Sequence, residues 1–168
     1  MSSEAVRTNC LDASALVKYY INEPGSDERA AFLRDQANWY TTPFCVYEGL
    51  NVLKRKKLRR EISAEEYYRA GLAMSADYAV RTRGMNDINF FDPLVFAEAE
   101  TLCRKHSLDF SDAFQVLSVK RGYYAIFVGD SQTVLVTADR ALSKAAEAEG
   151  LKVKLLLGGS TDRPNQFC

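Results

Sequence analysis

Four carboxylates stand in settings where a charge is out of place. Asp12 follows Thr8-Asn9-Cys10-Leu11, Asp139 follows Val134-Leu135-Val136-Thr137-Ala138, and Asp112 precedes the apolar run Ala113-Phe114-Gln115-Val116-Leu117. Glu48 is the only charge between Pro43 and Leu53. The aspartates each have an ordinary reading: Asp12 and Asp139 as helix N-caps, Asp112 as a complement to the positive end of a helix. Glu48 resists such a reading. A mid-helix carboxylate with Phe44, Cys45 and Val52 on its own side is paired, protonated or a ligand, because a lone buried charge is costly. Arg55, two turns along the same side, is a candidate partner. Several carboxylates converging on one cleft repel each other, and a hard divalent cation resolves the repulsion. Mg2+ or Mn2+ prefers oxygen ligands and also holds substrate phosphates. Such an ion lowers the pKa of a bound water and stabilises charge on an attacked phosphate. One His and four dispersed cysteines, Cys10, Cys45, Cys103 and Cys168, make zinc a poor fit.

The pattern around these acids predicts the elements that must position them. Residues 6–11 read as a strand ending at Asp12, and 13–20 as a helix. Pro24, Gly25 and Ser26 break the chain and open a second helix near 27–36. A β-prone run at 39–41 leads into Thr42-Pro43, a good N-cap and first helical residue, and a helix to about residue 60. Ile62-Ser63-Ala64-Glu65-Glu66-Tyr67 is a capping box with Ile62 stapled to Tyr67; its helix ends near 83, before Gly84. A strand is expected at 88–91, and a helix from Asp92-Pro93 to about 106. Another helix starts at Ser111 or Asp112 and ends near Gly122; 123–130 has no firm placement. A strand at 134–136, a helix from Asp139 to Gly150, and the alternation of Leu151, Val153, Leu155 and Leu157 complete the chain. Strands alternating with helices predict a parallel sheet covered on both faces, with its site outside the carboxyl ends of the strands. Asp12 and Asp139 occupy such ends. Residues 1–158 are expected to form one domain, and 159–168 a C-terminal tail.

Composition bounds the function. The chain has 168 residues, 22 basic and 22 acidic, so its formal net charge is zero, and 47% of its residues are hydrophobic. That is ample material for a core and excludes disorder as the main state. A chain of this length buries roughly 70% of its unfolded surface and needs no metal or disulfide to fold. No uncharged stretch approaches the roughly 20 apolar residues of a membrane span, and residues 1–12 lack an apolar signal-peptide core. The expectation is a cytoplasmic protein with reduced thiols. Any nucleic-acid binding must come from a local basic patch.

At this point the residues resemble the PIN-domain nucleases. Leu11-Asp12-Ala13-Ser14-Ala15-Leu16-Val17-Lys18 is similar to the family's opening. The likeness continues through Glu48, Ser111-Asp112-Ala113-Phe114 and Val136-Thr137-Ala138-Asp139-Arg140-Ala141-Leu142, and closes with Ala145-Ala146-Glu147-Ala148-Glu149-Gly150-Leu151-Lys152-Val153. The resemblance implies a three-layer α/β/α sandwich with a mostly parallel five-stranded sheet. It implies Mg2+- or Mn2+-dependent cleavage of single-stranded RNA, leaving a 3′-hydroxyl and a 5′-phosphate. The family's catalytic, metal-holding acids fall on Asp12, Glu48, Asp112 and Asp139. Ser14 and Thr137 match hydroxyls that hold the acids or a metal-bound water, with simple capping as the alternative. Asp109, three residues before Asp112 and on roughly the same helical side, is the alternative that would replace or join it; Asp112 is favoured because Asp-Ala at a helix start fits the family. Single-domain members of this size are commonly VapC-type toxins, which implies an antitoxin partner whose segment crosses the acidic cleft, and a homodimer. The alternatives are an RNA-processing nuclease outside a toxin–antitoxin pair, or a silent scaffold that binds RNA or protein. Residues 43–83 and 123–133 are longer than the family's usual connections and are places to shape a substrate or partner surface.

Other features carry less. Lys54, Arg55, Lys56, Lys57, Arg59 and Arg60 form a basic run with three readings: a solvated helix end, an RNA-backbone patch, or a dock for an acidic partner. His106 reads as a helix-end or surface residue. The pairs Tyr19-Tyr20, Tyr67-Tyr68 and Tyr123-Tyr124 read as packing, with base stacking as the alternative. A response-regulator-type phosphoacceptor would want a tandem acidic pair after the first strand, and Asn9-Cys10-Leu11-Asp12 lacks it. An Asp-x-Asp phosphatase is disfavoured because Ser14 occupies the second acid's place.

Overall fold

The structure, a computed structural model, describes residues 8–22 and 38–156. Its strands are β1 (Asn9–Leu11), β2 (Trp39–Tyr40), β3 (Val134–Thr137) and β4 (Lys152–Leu155), paired in parallel in the order β2-β1-β3-β4. The helices among the described residues are α1 (Ala13–Tyr20), α2 (Pro43–Leu58), α3 (Ala64–Arg81), α4 (Pro93–His106), α5 (Phe110–Arg121) and α6 (Arg140–Ala148). Residues 123–130, unplaced by pattern, contribute 3-10 turns at Tyr123–Ile126 and Gly129–Ser131. The helix expected at 27–36 and the tail from 159 lie outside the described residues.

Each of these helices starts where a short polar side chain takes one of its unpaired N–H groups. Asp12 caps α1, Thr42 caps α2 ahead of Pro43, Asp92 caps α4 ahead of Pro93, and Asp139 caps α6. The capping box at Ser63 and Glu66 closes in both directions. The start of α5 corrects the expectation: the cap is Asp109, and the helix begins at Phe110 rather than at Ser111 or Asp112.

The sheet has four strands among the described residues, not five, and 88–91 is not a strand. The physical reason lies in two side chains. Asp87 Oδ1 accepts from Ile88 N at 2.8 Å, and Asn89 Oδ1 accepts from Phe91 N at 3.1 Å. Asp92 N then donates to Asn89 O at 3.0 Å. Local side-chain bonds take the backbone donors that a strand ladder would need.

The pleat divides the core into two layers. Cys10 and Leu135 point to one face, where α4, α5 and α6 bring Val95, Phe114 and Leu142. Leu11 and Val136 point to the other, where α1, α2 and α3 bring Leu16, Leu53 and Met74. The expected α/β/α layering is therefore present. α2 is held close to its neighbours because Gly49 has no side chain: a Cβ there would lie 2.9 Å from Met74 Sδ and 3.5 Å from Val17 Cγ2. Gly49→Val should destabilise the protein by about 1–3 kcal/mol in urea unfolding. Combined with Met74→Ala, which makes room, it should cost less than the sum of the two single changes; strict additivity would show that this contact does not set the spacing.

Candidate active site

Asp12 leaves the carboxyl end of β1, and Asp139 leaves that of β3. The register Leu11 opposite Val136 brings the two ends side by side. Asp12 is 4% exposed. Its Oδ2 accepts from Ser14 N at 3.2 Å, Ser14 Oγ at 2.5 Å and Thr137 Oγ1 at 2.9 Å. Each hydroxyl gives its proton to Asp12 and takes one from the loop after β3. Ala138 N donates to Ser14 Oγ at 2.8 Å, and Asp139 N donates to Thr137 Oγ1 at 2.9 Å. Ser14 and Thr137 thus do more than cap: they latch the β3–α6 loop onto Asp12. Burial still pushes the Asp12 carboxyl above its ordinary value, with these bonds opposing the shift. Asp139 spends Oδ1 on Ala141 N and Leu142 N, at 2.6 and 3.0 Å.

The second half of the site joins α2 to the start of α5. Ser111 Oγ bridges Glu48 Oε1 and, at 2.8 Å, Asp109 Oδ1, which also accepts from Asp112 N at 2.9 Å. A hydroxyl carries one proton, so both bridges are full hydrogen bonds only when one carboxyl is itself protonated. Burial, reinforced by Asp109 and Asp12, pushes Glu48 up; the Ser111 bond and the Arg55 charge pull it down. The expected Arg55 partner therefore acts on Glu48 through its field. Asp112 is half-buried and receives no hydrogen bond at its carboxylate among the described residues. Its pKa is pushed up to about 8 by burial first, then by Asp12, Asp109, Glu48 and Asp139. The four acids singled out in the sequence, and Asp109 with them, act on one another. In the sequence Ser111 reads as a helix-start residue and the first residue of the motif Ser111-Asp112-Ala113-Phe114; its bridging of Glu48 and Asp109 is visible only in the fold.

Below Asp12 a buried polar ladder fixes the helices that carry the other acids. Thr42 Oγ1 meets Cys45 Sγ at 3.2 Å, Cys45 Sγ donates to Gln115 Oε1 at 2.9 Å, and Gln115 Nε2 reaches Cys10 Sγ at 3.8 Å. It ties α2 and α5 to β1. Burial raises both thiols far above their ordinary range, so they are inert links.

The donor set is carboxylate and hydroxyl oxygen, which suits a hard divalent cation. No three acidic, His or Cys side chains among the described residues close into a ready-made cage. Mg2+ does not require one: it keeps several waters and is held through one or two carboxylates with substrate phosphates.

The other candidates lie elsewhere. Lys54, Arg55, Arg59 and Arg60 are exposed, while Lys56 pairs with Glu61 at 3.1 Å and Lys57 sits over the Tyr67 and Tyr68 rings at 5.1 and 4.9 Å. His106, at the end of α4, joins Lys105 and Lys120 around Glu149, whose carboxylate they hold well below its ordinary value. Tyr20 donates to Asp77 Oδ2 at 2.8 Å, and Tyr19 packs edge-on against Trp39. No helix among the described residues is long and apolar enough to cross a membrane.

Comparison with known proteins places this geometry. No curated protein matches the sequence. The crystal structure of PAE2754 from Pyrobaculum aerophilum superposes with a TM-score of 0.50 at 20% identity, over 88% of this chain and 90% of that one. At that identity the likeness speaks for the fold alone. The PIN domain family matches residues 10–148, from within β1 to the end of α6, a span that holds Asp12, Glu48, Asp112 and Asp139. The chain belongs to the PIN domain family.

Proposed function

We propose that this PIN domain is a metal-dependent endoribonuclease for single-stranded RNA, with Asp12, Glu48, Asp112 and Asp139 as its catalytic acids. PIN domains are generally nucleases. The observation that carries the reading is the convergence of these acids at the strand ends, with Asp112 left without a donor beside them. Such a cluster is balanced by a cation or by protons, and a nuclease has use for the cation. Asp12 and Asp112, with Asp139 and Glu48 beside them, would hold Mg2+ or Mn2+, which supplies charge stabilisation at the attacked phosphate and a more acidic water. Ser14 and Thr137 keep Asp12 in one rotamer, and Ser111 keeps Glu48 turned toward α5. The wider reading is a cytoplasmic, homodimeric toxin of the VapC type, restrained by an antitoxin segment laid across the acids. The resemblance of the Asp12, Glu48, Asp112 and Asp139 motifs to that group supports it. The basic run at the end of α2, with Lys54, Arg59 and Arg60 exposed, would supply contacts to RNA phosphates.

The purified protein should cut single-stranded RNA with Mg2+ or Mn2+ and stop in EDTA. Thr137→Val, which removes a latch without touching an acid, should lower the rate about 10–100-fold, and Asp12→Asn should lower it at least as far while staying folded. Cleavage by Asp12→Asn at the wild-type rate would sink the mechanism.

Stability supplies a second test. An unfolded Asp titrates near 3.8 and folded Asp112 near 8, so the metal-free fold holds this proton more tightly than the unfolded chain. The associated stability is present below about pH 4 and is lost as pH rises toward 8. Metal-free protein should therefore melt lower at pH 8 than at pH 5, and Asp112→Asn should flatten that slope and raise the pH 8 melting temperature. Mg2+ at a hundredfold excess over its Kd should add about 2.7 kcal/mol to the wild type. A metal-free Asp112→Asn that is clearly less stable at pH 8 would contradict the acid-cluster reading.

A further inference from the structure

A concavity of about 110 Å3 opens beside the carboxyl end of the edge strand β2. Four rings wall it: Tyr78 from the end of α3, Phe90 from the α3–α4 connection, and Tyr123 and Tyr124 from the first 3-10 turn. The rings are held in place. The Tyr124 hydroxyl donates to Thr41 O at 2.8 Å, Phe90 packs edge-on against Phe44 at 4.8 Å, and Tyr123 packs against Tyr40 at 6.2 Å.

One charged side chain, Asp87, lines the pocket. Its Oδ1 is anchored by Ile88 N at 2.8 Å and Tyr123 N at 3.3 Å. Its Oδ2 accepts no hydrogen bond, and no cation pairs with it, among the described residues. The carboxylate leans so closely on the turn that a Cβ at Gly122 would lie 2.1 Å from Oδ1. The result is a preformed ring-walled slot with one fixed acceptor.

The pocket lies next to the acids. Thr41, on its wall, donates through Oγ1 to Leu11 O at 2.7 Å, and Leu11 precedes Asp12. Cys10 lies opposite Tyr40, so Thr41 and Asp12 leave neighbouring strands, about 4.8 Å apart. Pro43, also on the wall, starts the helix that carries Glu48.

A ring-walled slot with an acceptor-only group suits a planar ligand with donors on its edge. Single-stranded RNA is read through bases stacked on aromatic side chains and hydrogen-bonded at their Watson–Crick edges. An ionised carboxylate can only accept. Guanine sets two donors, N1–H and the N2 amino group, side by side on that edge. Adenine and cytosine set a ring-nitrogen acceptor beside their amino group, and uracil flanks its N–H with carbonyls. We propose that this pocket is a base-selective subsite that takes an unstacked guanine of the RNA, with its edge on Asp87, and so sets which phosphate reaches the acids. The inference rests on the ribonuclease reading above, and its competitor is a cation cage for an arginine of a protein partner.

The test uses Asp87→Asn. The carbonyl oxygen of Asn can keep the Ile88 and Tyr123 bonds, while its NH2 replaces the open acceptor with a donor; an unchanged melting temperature confirms the fold. Short RNAs carrying a single guanine, inosine or adenine in a fixed context are cut under Mg2+. In parallel, binding of guanosine 5′-monophosphate, adenosine 5′-monophosphate and methylguanidine is followed in EDTA by tyrosine fluorescence. Wild type should prefer the guanine RNA over the adenine RNA by about tenfold in kcat/KM, mostly through KM, with inosine between them because it lacks the N2 amino group. Asp87→Asn should bring the ratio close to one and abolish the preference for guanosine monophosphate. RNA cleavage without a guanine preference overturns the subsite and leaves the nuclease. Selective guanosine monophosphate binding that depends on Asp87, in a protein that cuts no RNA, keeps the pocket and removes the nuclease. Binding of methylguanidine with no nucleotide binding overturns the subsite in favour of the cage.

Discussion

The buried carboxylate of Asp12 is the constraint on which the rest of the structure depends. Placing a charge at the end of a central strand, nearly free of solvent contact, costs several kcal/mol unless donors surround it. Three donors do so here, and two of them are hydroxyls that also accept backbone N–H groups from the loop after β3. The bonds that make Asp12 tolerable therefore also fix where Ala138 and Asp139 stand. Removing either hydroxyl would leave two partners short, one on each strand end. Charge burial, strand pairing and the position of the second acid are one problem with one solution.

Capping and function are compatible in this fold because a carboxylate has two oxygens. Asp109 and Asp139 each satisfy their helix through Oδ1. Their Oδ2 atoms accept no hydrogen bond among the described residues. Three helix N-termini, those of α1, α5 and α6, aim their positive ends at the same acidic region and soften its repulsion. The dipoles reduce the cluster's cost without neutralising it, and Asp112 bears what remains, since it sits in the first turn of α5 but faces four other acids.

What was legible in the sequence were the devices with local causes. Thr42-Pro43, Asp92-Pro93 and Ser63 with Glu66 act within a few residues, and the structure forms each cap as written. The acids at Asp12 and Asp139 were legible because strand-to-helix junctions of a parallel sheet converge. The features that escaped depend on partners distant in sequence or on competing local bonds. At 88–91 the apolar pattern favoured a strand, but Asp87 and Asn89 captured the backbone donors first. Ser111 gains its importance from Glu48, 63 positions earlier. His106 read as a helix end and is one, yet its imidazole meets Glu149, 43 positions later, inside a knot of lysines that no spacing announces. The pocket at Asp87 escaped for the same reason: its rings come from three separate segments.

A cluster of carboxylates is a poor place to attract a polyanion. At zero net charge the chain offers RNA no long-range attraction. The basic run is also partly spent, with Lys56 on Glu61 and Lys57 on two tyrosine rings. Binding energy that does not pass through phosphate removes this conflict. Ring faces and a base edge supply it without regard to ionic charge, and stacking is worth about 1–3 kcal/mol per base. A base held beside β2, as proposed, would let a phosphate approach the acids only where a cation offsets them. In the proposed ribonuclease, recognition and neutralisation would be separate tasks, the first for Asp87 with its rings and the second for Asp12 with its neighbours. The short step from Leu11 to Thr41 joins the pocket to the acids through a hydrogen bond between adjacent strand ends, and α2, from Pro43 to Glu48, joins them again.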